Sequence, residues 1–348
     1  MNMRRFAIVT GLLSGFLFGI ATPFSKLLLD GLNSFQLAGL LYLGAALAMS
    51  PNIFKKDSKL KMLFQSGSRI KTSGIIFFGG FLGPLLLLAG LKTANAASVS
   101  IWLNMELVAT AILGVLIFKD SLDKYAWTGV ILTIIAGIIT SLGEGVSGLT
   151  SGLLVTAACV CWAIDNHLTA ITDGASPQTV TFVKGVVAGS VNFIIGCLIA
   201  NQPIFLGNIM PAIILGIFSY GLSIVLYVTS AQNIGATRSQ IFFSSAPLWG
   251  VILSYLFFHD SFHWVHIFSM VLLGLAVIIT NILTHKHLHT HTAMEHIHYH
   301  QHDDGHHDHS HANETVLKYK FHSHVHKHEP VTHEHPHHPD LHHRHKHE

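Results

Sequence analysis

The sequence predicts an all-α membrane protein: ten transmembrane helices arranged as two inverted five-helix repeats, followed by a disordered His-rich tail. Three observations carry this. Half of the 348 residues are apolar, 11% are charged and mean hydropathy is +0.49, well outside the soluble globular range. Residues 91–121 return as 231–261 at a fixed offset of 140 positions, with Ile112-Leu113, Leu116, Phe118 and Asp120-Ser121 facing Ile252-Leu253, Leu256, Phe258 and Asp260-Ser261. Ala136-Gly137-Ile138-Ile139-Thr140 then faces Ala276-Val277-Ile278-Ile279-Thr280 in the same register. Finally, Lys and Arg gather on alternate loops.

An apolar run of about 20 residues crosses the hydrocarbon core as a helix. Ten such runs can be drawn, at 6–28, 33–51, 72–91, 95–117, 123–143, 150–172, 177–200, 207–231, 236–258 and 262–284. They divide the chain into a first repeat (1–145), a second repeat (146–284) and a tail (285–348). Five spans per repeat is an odd number, so the second copy enters the membrane the other way up, as in many secondary transporters. The N-terminal run continues past Pro23 to Leu29 without an evident cleavage site, so we read it as a span and not as a cleaved signal.

With the N-terminus placed in the cytoplasm, the inner segments hold Arg4, Arg5, Lys55, Lys56, Lys59, Lys61, Arg69, Lys71, Lys119, Lys124 and Arg238, against Lys26 and Lys92 outside. Eleven against two follows the positive-inside rule and puts both termini in the cytoplasm. The localisation expected is a bacterial inner (plasma) membrane. Asp120-Ser121 and Asp260-Ser261 would then lie on opposite faces, which suits helix termination better than a shared substrate site. Cys159, Cys161 and Cys197 all lie in apolar runs and give no disulfide framework.

Two five-helix repeats with short loops, and helices ending in Phe118-Lys119-Asp120-Ser121 and Phe258-His259-Asp260-Ser261, resemble the EamA-type branch of the drug/metabolite transporter superfamily. The family's mid-helix Glu-Pro or Ala-Pro appears as Glu106-Leu107 in the first copy and Ala246-Pro247 in the second. The resemblance covers residues 6–284. It implies ten helices around a central cavity that opens alternately to each side, with a substrate drawn from amino acids, metabolites, drugs or other solutes.

Ionisable groups inside a bilayer cost about 2.5–3.5 kcal/mol near a helix centre, so each needs a reason. Glu106 sits mid-span, and Ser98, Trp102, Glu106 and Thr110 recur every four residues as one polar stripe. Glu106 reads either as a cavity-facing proton or cation site or as a buried polar residue bonded within the bundle. Cys161, Asp165, Thr169 and Thr172 share a face of the sixth span. Asp165 and Lys184 fall at about the same depth, roughly 10 Å from the inner surface, and could pair. Lys184 could instead reach the interface. His167 points away from Asp165 and is more simply packed than a metal ligand. Cys159 and Cys161 diverge, leaving Cys161 beside Asp165 as the one cysteine with a candidate role. Pro84 and Pro247 free the carbonyls of Gly80 and Phe243, as substrate contacts or as tolerated kinks. Trp102, Trp162, Trp249, Tyr220 and Tyr227 could line a cavity, pack, or anchor at the interface.

The tail holds 24 of the 28 histidines. His285, His287, His289 and His291 alternate, as do His296, His298, His300 and His302, and His322, His324, His326 and His328. Few apolar residues predict disorder. Neutral imidazole binds nickel, cobalt and zinc, so metal binding is the leading reading, beside a pH response or a neutral appendage. No enzymatic motif and no nucleotide loop is present, which by elimination leaves an ion gradient as the energy source.

The function expected is a secondary exporter of divalent Ni, Co or Zn ions with a metal-binding tail. The alternatives are an amino-acid or small-metabolite exporter whose tail senses metal, and a membrane-bound metal buffer without transport. No cofactor is required. Partners are membrane lipid and a solute or ion substrate, without nucleic acid; a homodimer is compatible with the sequence.

Overall fold

Apolar residues point outward and polar ones inward. Leu116, Leu198 and Trp264 are 74%, 79% and 82% exposed, whereas Ser14, Thr110, His167, Asn192 and Ser219 are fully buried. A soluble protein partitions these residues the other way, so the outer surface is one that lipid would cover.

The computed structural model describes residues 3–53, 60–65, 67–117, 124–172, 176–200, 204–234, 236–258, 264–282, 286–291, 294–300, 322–328 and 331–336. From Met3 to Ile282 every regular element is helical: α1 (Met3–Gly19), α2 (Ala21–Leu28), α3 (Ser34–Ile53), α4 (Arg69–Gly74), α5 (Gly83–Thr93), α6 (Ala96–Trp102), α7 (Met105–Leu116), α8 (Lys124–Ala170), α9 (Pro177–Ile199), α10 (Leu206–Leu215), α11 (Ser223–Ile234), α12 (Ala236–Phe243), α13 (Ala246–Phe258) and α14 (Trp264–Ile282). A short 3₁₀ turn covers Leu60–Phe64. Among the described residues seven stretches are long and apolar enough to span a bilayer: Ile8–Leu28, Ser34–Pro51, Arg69–Thr93, Ala96–Leu116, Gly148–Ala170, Pro177–Ile199 and Leu206–Ala231. Three more, Trp127–Thr140, Ala246–Phe257 and Trp264–Ala276, are apolar but shorter. Each overlaps one predicted run. The paired Asp120-Ser121 and Asp260-Ser261 lie outside the described residues.

α8 is helical in assignment over 47 residues, where the sequence predicts two runs with a break. It is nevertheless not one rod. A Cβ placed on Gly137 would lie 3.6 Å from the Trp102 ring, and one on Gly152 2.5 Å from the same ring. Fifteen residues of straight helix would separate these glycines by about 22 Å. The chain therefore folds back between them, and its arms lie on either side of Trp102.

Two helix irregularities recur at the repeat offset. π-helical turns cover Ile75–Leu82 and Gly216–Leu222, so their ends differ by 140 positions. The breaks between α6 and α7, at Leu103-Asn104, and between α12 and α13, at Ser244-Ser245, match to within one residue of that offset. The duplication thus extends to backbone geometry that no apolar pattern encodes.

Helices α3 and α9, the second of each repeat, pack backbone to backbone. Gly196 abuts Gln36, Gly39 abuts Phe193, Gly189 abuts Leu43 and Gly185 abuts Ala46. Numbers rise on one helix as they fall on the other, so the two run antiparallel. Small residues permit this approach, the usual device where lipid removes the hydrophobic drive between helices. A Cβ at Gly39 would stand 2.5 Å from the Phe193 nitrogen, so Gly39→Val should cost about 1–3 kcal/mol by overpacking. Thermal unfolding in detergent checks this; an unchanged midpoint would mean the contact has slack.

The tail is expected to be disordered, but its described stretches form strands: β1 (Lys286–His291), β2 (Met294–His300), β3 (His322–His328) and β4 (Val331–Pro336). β1 pairs with β4 and β2 with β3, both antiparallel. A period of two with Ile, Val, Thr and Tyr between histidines is strand-compatible. His285 and His302 lie outside the described residues.

Candidate functional site

The polar centre is built where α7, the second arm of α8, α9 and the two π-helical turns meet. A cavity of about 40 Å³ is lined by Phe18, Tyr42, Glu106, Trp162, Asp165, Asn166, Thr169, Lys184, Tyr220, Ile224, Tyr227, Val228 and Phe243. That is room for a few waters.

Ser176 caps α9, its hydroxyl accepting from the Thr179 amide at 3.2 Å, and Pro177 occupies the first turn. Two turns on, Lys184 donates to Asp165 Oδ2 at 2.6 Å, with both side chains about 95% buried. Thr169 donates to the other carboxylate oxygen at 3.2 Å. The carboxylate fits because position 79 is glycine: a Cβ there would overlap it. Such a pair repays its desolvation only when geometry and additional hydrogen bonds are good, and here both are supplied.

Glu106 is the second residue of α7, at a helix N-terminus that favours negative charge. Asn166 donates to its Oε1 at 2.7 Å and, more weakly, to Gln240 Oε1 at 3.4 Å. One amide thus ties α7, α8 and α12 together.

The π-helical turn before α5 exposes carbonyls that neighbours then satisfy. Gly79 accepts from Tyr42 Oη at 2.5 Å and Trp162 Nε1 at 3.1 Å, and Gly80 accepts from Asn192 Nδ2 at 3.2 Å. The Gly80 carbonyl freed by Pro84 is therefore bonded within the protein. Pro84 lies inside the continuous helical stretch Arg69–Thr93, directly after the π-helical turn, whereas Pro247 is the second residue of α13, where the missing N–H costs nothing, and is not a mid-helix kink.

Aromatic rings close the chamber. Phe18 lies 5.9 Å from Trp162, 5.6 Å from Tyr220 and 5.0 Å from Phe243. Tyr42 meets Tyr220 at 5.2 Å and Tyr227 meets Phe243 at 5.1 Å. The hydroxyls of Tyr220 and Tyr227 are buried and have no hydrogen-bond partner among the described residues.

Of the predicted residues, Glu106, Asp165, Thr169 and Lys184 converge here. The stripe Ser98, Trp102, Glu106, Thr110 does not survive, because the break at Leu103-Asn104 resets the helix phase. Ser98 bonds His266 Nε2 at 3.0 Å, and Trp102 packs between the arms of α8. Cys161 is buried but not among the lining residues. His167 Nε2 donates to the Thr110 carbonyl at 2.9 Å, and Cys159 donates to Leu103 O at 3.6 Å. Trp162, Tyr220 and Tyr227 line the cavity; Trp249 is 39% exposed and edges Phe16. The sequence reading missed Asn166, Tyr42, Gln240 and Phe18, and named Phe243 for its carbonyl and not for the ring that lines the cavity. Only Asn166 gave a signal, as the second half of a polar doublet inside an apolar run. Among the described residues no three His, Cys, Asp or Glu side chains gather as a metal site.

A helical bundle with a lipid-type exterior and buried charged groups in its interior defines the class: an integral membrane protein. The EamA-like transporter family model matches residues 5–142 and again 149–282, and the chain belongs to that family, within the drug/metabolite transporter superfamily. An uncharacterized transporter from Methanothermobacter thermautotrophicus is 26% identical over 270 residues, covering 70% of this chain and 77% of its own length. Uncharacterized transporter YyaM from Bacillus subtilis is 27% identical over 228 residues, covering 61% and 73%. A solved crystal structure superposes with a TM-score of 0.63 at 12% identity, over 79% of this chain and 97% of that one, a likeness of fold.

Proposed function

We propose that the protein is a secondary transporter of a small zwitterionic organic solute, of the amino-acid type, moved across a prokaryotic plasma membrane. The carrying observation is the cavity's composition: one buried ammonium, Lys184, and two carboxylates, Asp165 and Glu106, enclosed by six aromatic rings. A solute carboxylate has a partner in Lys184, and a solute ammonium one in Glu106. The Tyr220 and Tyr227 hydroxyls supply unclaimed hydrogen bonds, and the rings suit an apolar body.

Export of Ni, Co or Zn is the less supported reading. His167 is turned to Thr110, Cys161 is outside the lining, and the two cavity carboxylates, Glu106 and Asp165, share the chamber with the Lys184 ammonium, whose charge opposes a divalent cation there. Ten spans in two oppositely oriented repeats are supported by the antiparallel α3 and α9 contact, since equivalent helices related by a two-fold axis in the membrane plane run opposite ways. The lysine and arginine distribution supports cytoplasmic termini.

The test is exchange by the full chain in proteoliposomes, with labelled neutral amino acids in one series and zinc or nickel in another. Amino-acid exchange is expected, without metal flux. Metal flux that depends on Glu106, with no amino acid moving, would overturn the reading.

A further inference from the structure

Four of the aromatic side chains around the cavity carry a polar hydrogen, and they use it differently. Tyr42 Oη and Trp162 Nε1 both donate to the Gly79 carbonyl. The Tyr220 and Tyr227 hydroxyls bond to none of the described residues, although the two side chains lie in residues only 1% and 6% exposed. Tyr220 sits in the second π-helical turn and Tyr227 in α11, and with Ile224 and Val228 they form one wall of the cavity. Their rings are held in place, Tyr220 against Phe18 and Tyr42, Tyr227 against Phe243.

A buried hydroxyl without a partner carries a desolvation penalty that a partner removes. Two such groups on one small cavity therefore describe its occupant, which must bring hydrogen-bonding atoms to this wall. In the zwitterion reading the solute ammonium and carboxylate already have partners in Glu106 and Lys184, so the atoms left for the phenols are those of the solute side chain. We propose that Tyr220 and Tyr227 are specificity-determining residues, selecting amino acids whose side chain ends in a hydroxyl or a carboxamide. The selection rests on the zwitterion reading and narrows it. A hydroxyl can accept from one phenol and donate to the other, and a carboxamide has an acceptor and two donors. An apolar side chain of equal size fills the same space but leaves both phenols unpaired, the situation in which a polar site rejects an analogue most strongly. Threonine and valine, alike in size and unlike in the hydroxyl, are the informative pair.

The measurement is exchange of labelled threonine and of labelled valine by the full chain in proteoliposomes, paired with thermal unfolding in detergent without solute. The parent should prefer threonine at least about tenfold. Tyr220→Phe and Tyr227→Phe each delete one oxygen and keep the ring, and each should bring the threonine-to-valine ratio down about fivefold or more. Neither variant should lower the thermal midpoint, because no bond within the protein is lost. A lowered midpoint would show the hydroxyl bonded within the fold and overturn the proposal. So would a parent that prefers valine, or variants that slow both solutes by the same factor, the latter by assigning the phenols to the solute carboxylate. A parent that moves metal and no amino acid removes the zwitterion reading, and this selection with it, an outcome told apart from the others because neither solute is exchanged.

Discussion

Glu106→Gln should lower solute exchange about 10- to 100-fold while leaving the thermal midpoint near that of the parent. The glutamine carbonyl can still accept from Asn166 Nδ2, which reaches Glu106 Oε1 at 2.7 Å, so the link between α7 and α8 is kept. What disappears is the carboxyl group offered to a solute ammonium. A hydrogen bond to a charged group contributes about 1.5–3 kcal/mol, and each 1.4 kcal/mol is about tenfold in an equilibrium. Exchange kinetics and unfolding measured on the same preparation test both halves. Full activity in the variant would reduce Glu106 to a buried packing residue and remove the ammonium partner from the proposal.

The largest effect on stability is expected from Asp165→Asn. It leaves the Lys184 ammonium, 4% exposed, without its counter-ion, and breaking one side of a buried pair costs about 3–5 kcal/mol. Asp165→Asn combined with Lys184→Met removes both charges at similar volume and should recover most of the midpoint, because an apolar replacement of a buried pair is often neutral or better. It should not recover exchange, since the solute carboxylate has then lost its cation. The separation of folding from transport between the single and double variants is the result to look for. A single variant as stable as the parent would show that Lys184 finds water in its place.

The positions of the spans and the duplication are legible because both are written in local chemistry: long apolar runs and a repeated residue pattern. The Asp165 and Lys184 pair was legible for a related reason, since only two charges fall at that depth. The interior of the site was not. Within a span nearly every residue is apolar, so periodicity no longer distinguishes a cavity face from a lipid face, and Tyr42, Phe18 and Phe243 look like their neighbours. The break at Leu103-Asn104 has no glycine or proline to announce it, and it alone invalidated the Ser98 to Thr110 stripe. Asn166 was overlooked because the four-residue repeat from Cys161 to Thr169 drew the reading to a single face, whereas a chamber that meets α8 broadly uses two neighbouring residues.

The two π-helical turns have a meaning beyond the carbonyls they expose. A wide turn is an α-helix carrying one surplus residue. It lies at Ile75–Leu82 and again at Gly216–Leu222, so each half brings the same backbone device to the chamber. What it presents differs: Gly79-Gly80 leave room for the Asp165 carboxylate and accept the Asn192 amide, whereas Ser219-Tyr220, 140 positions on, present a phenol to the cavity. Matched backbone with unmatched side chains lets two like halves form a chamber whose walls are chemically unlike.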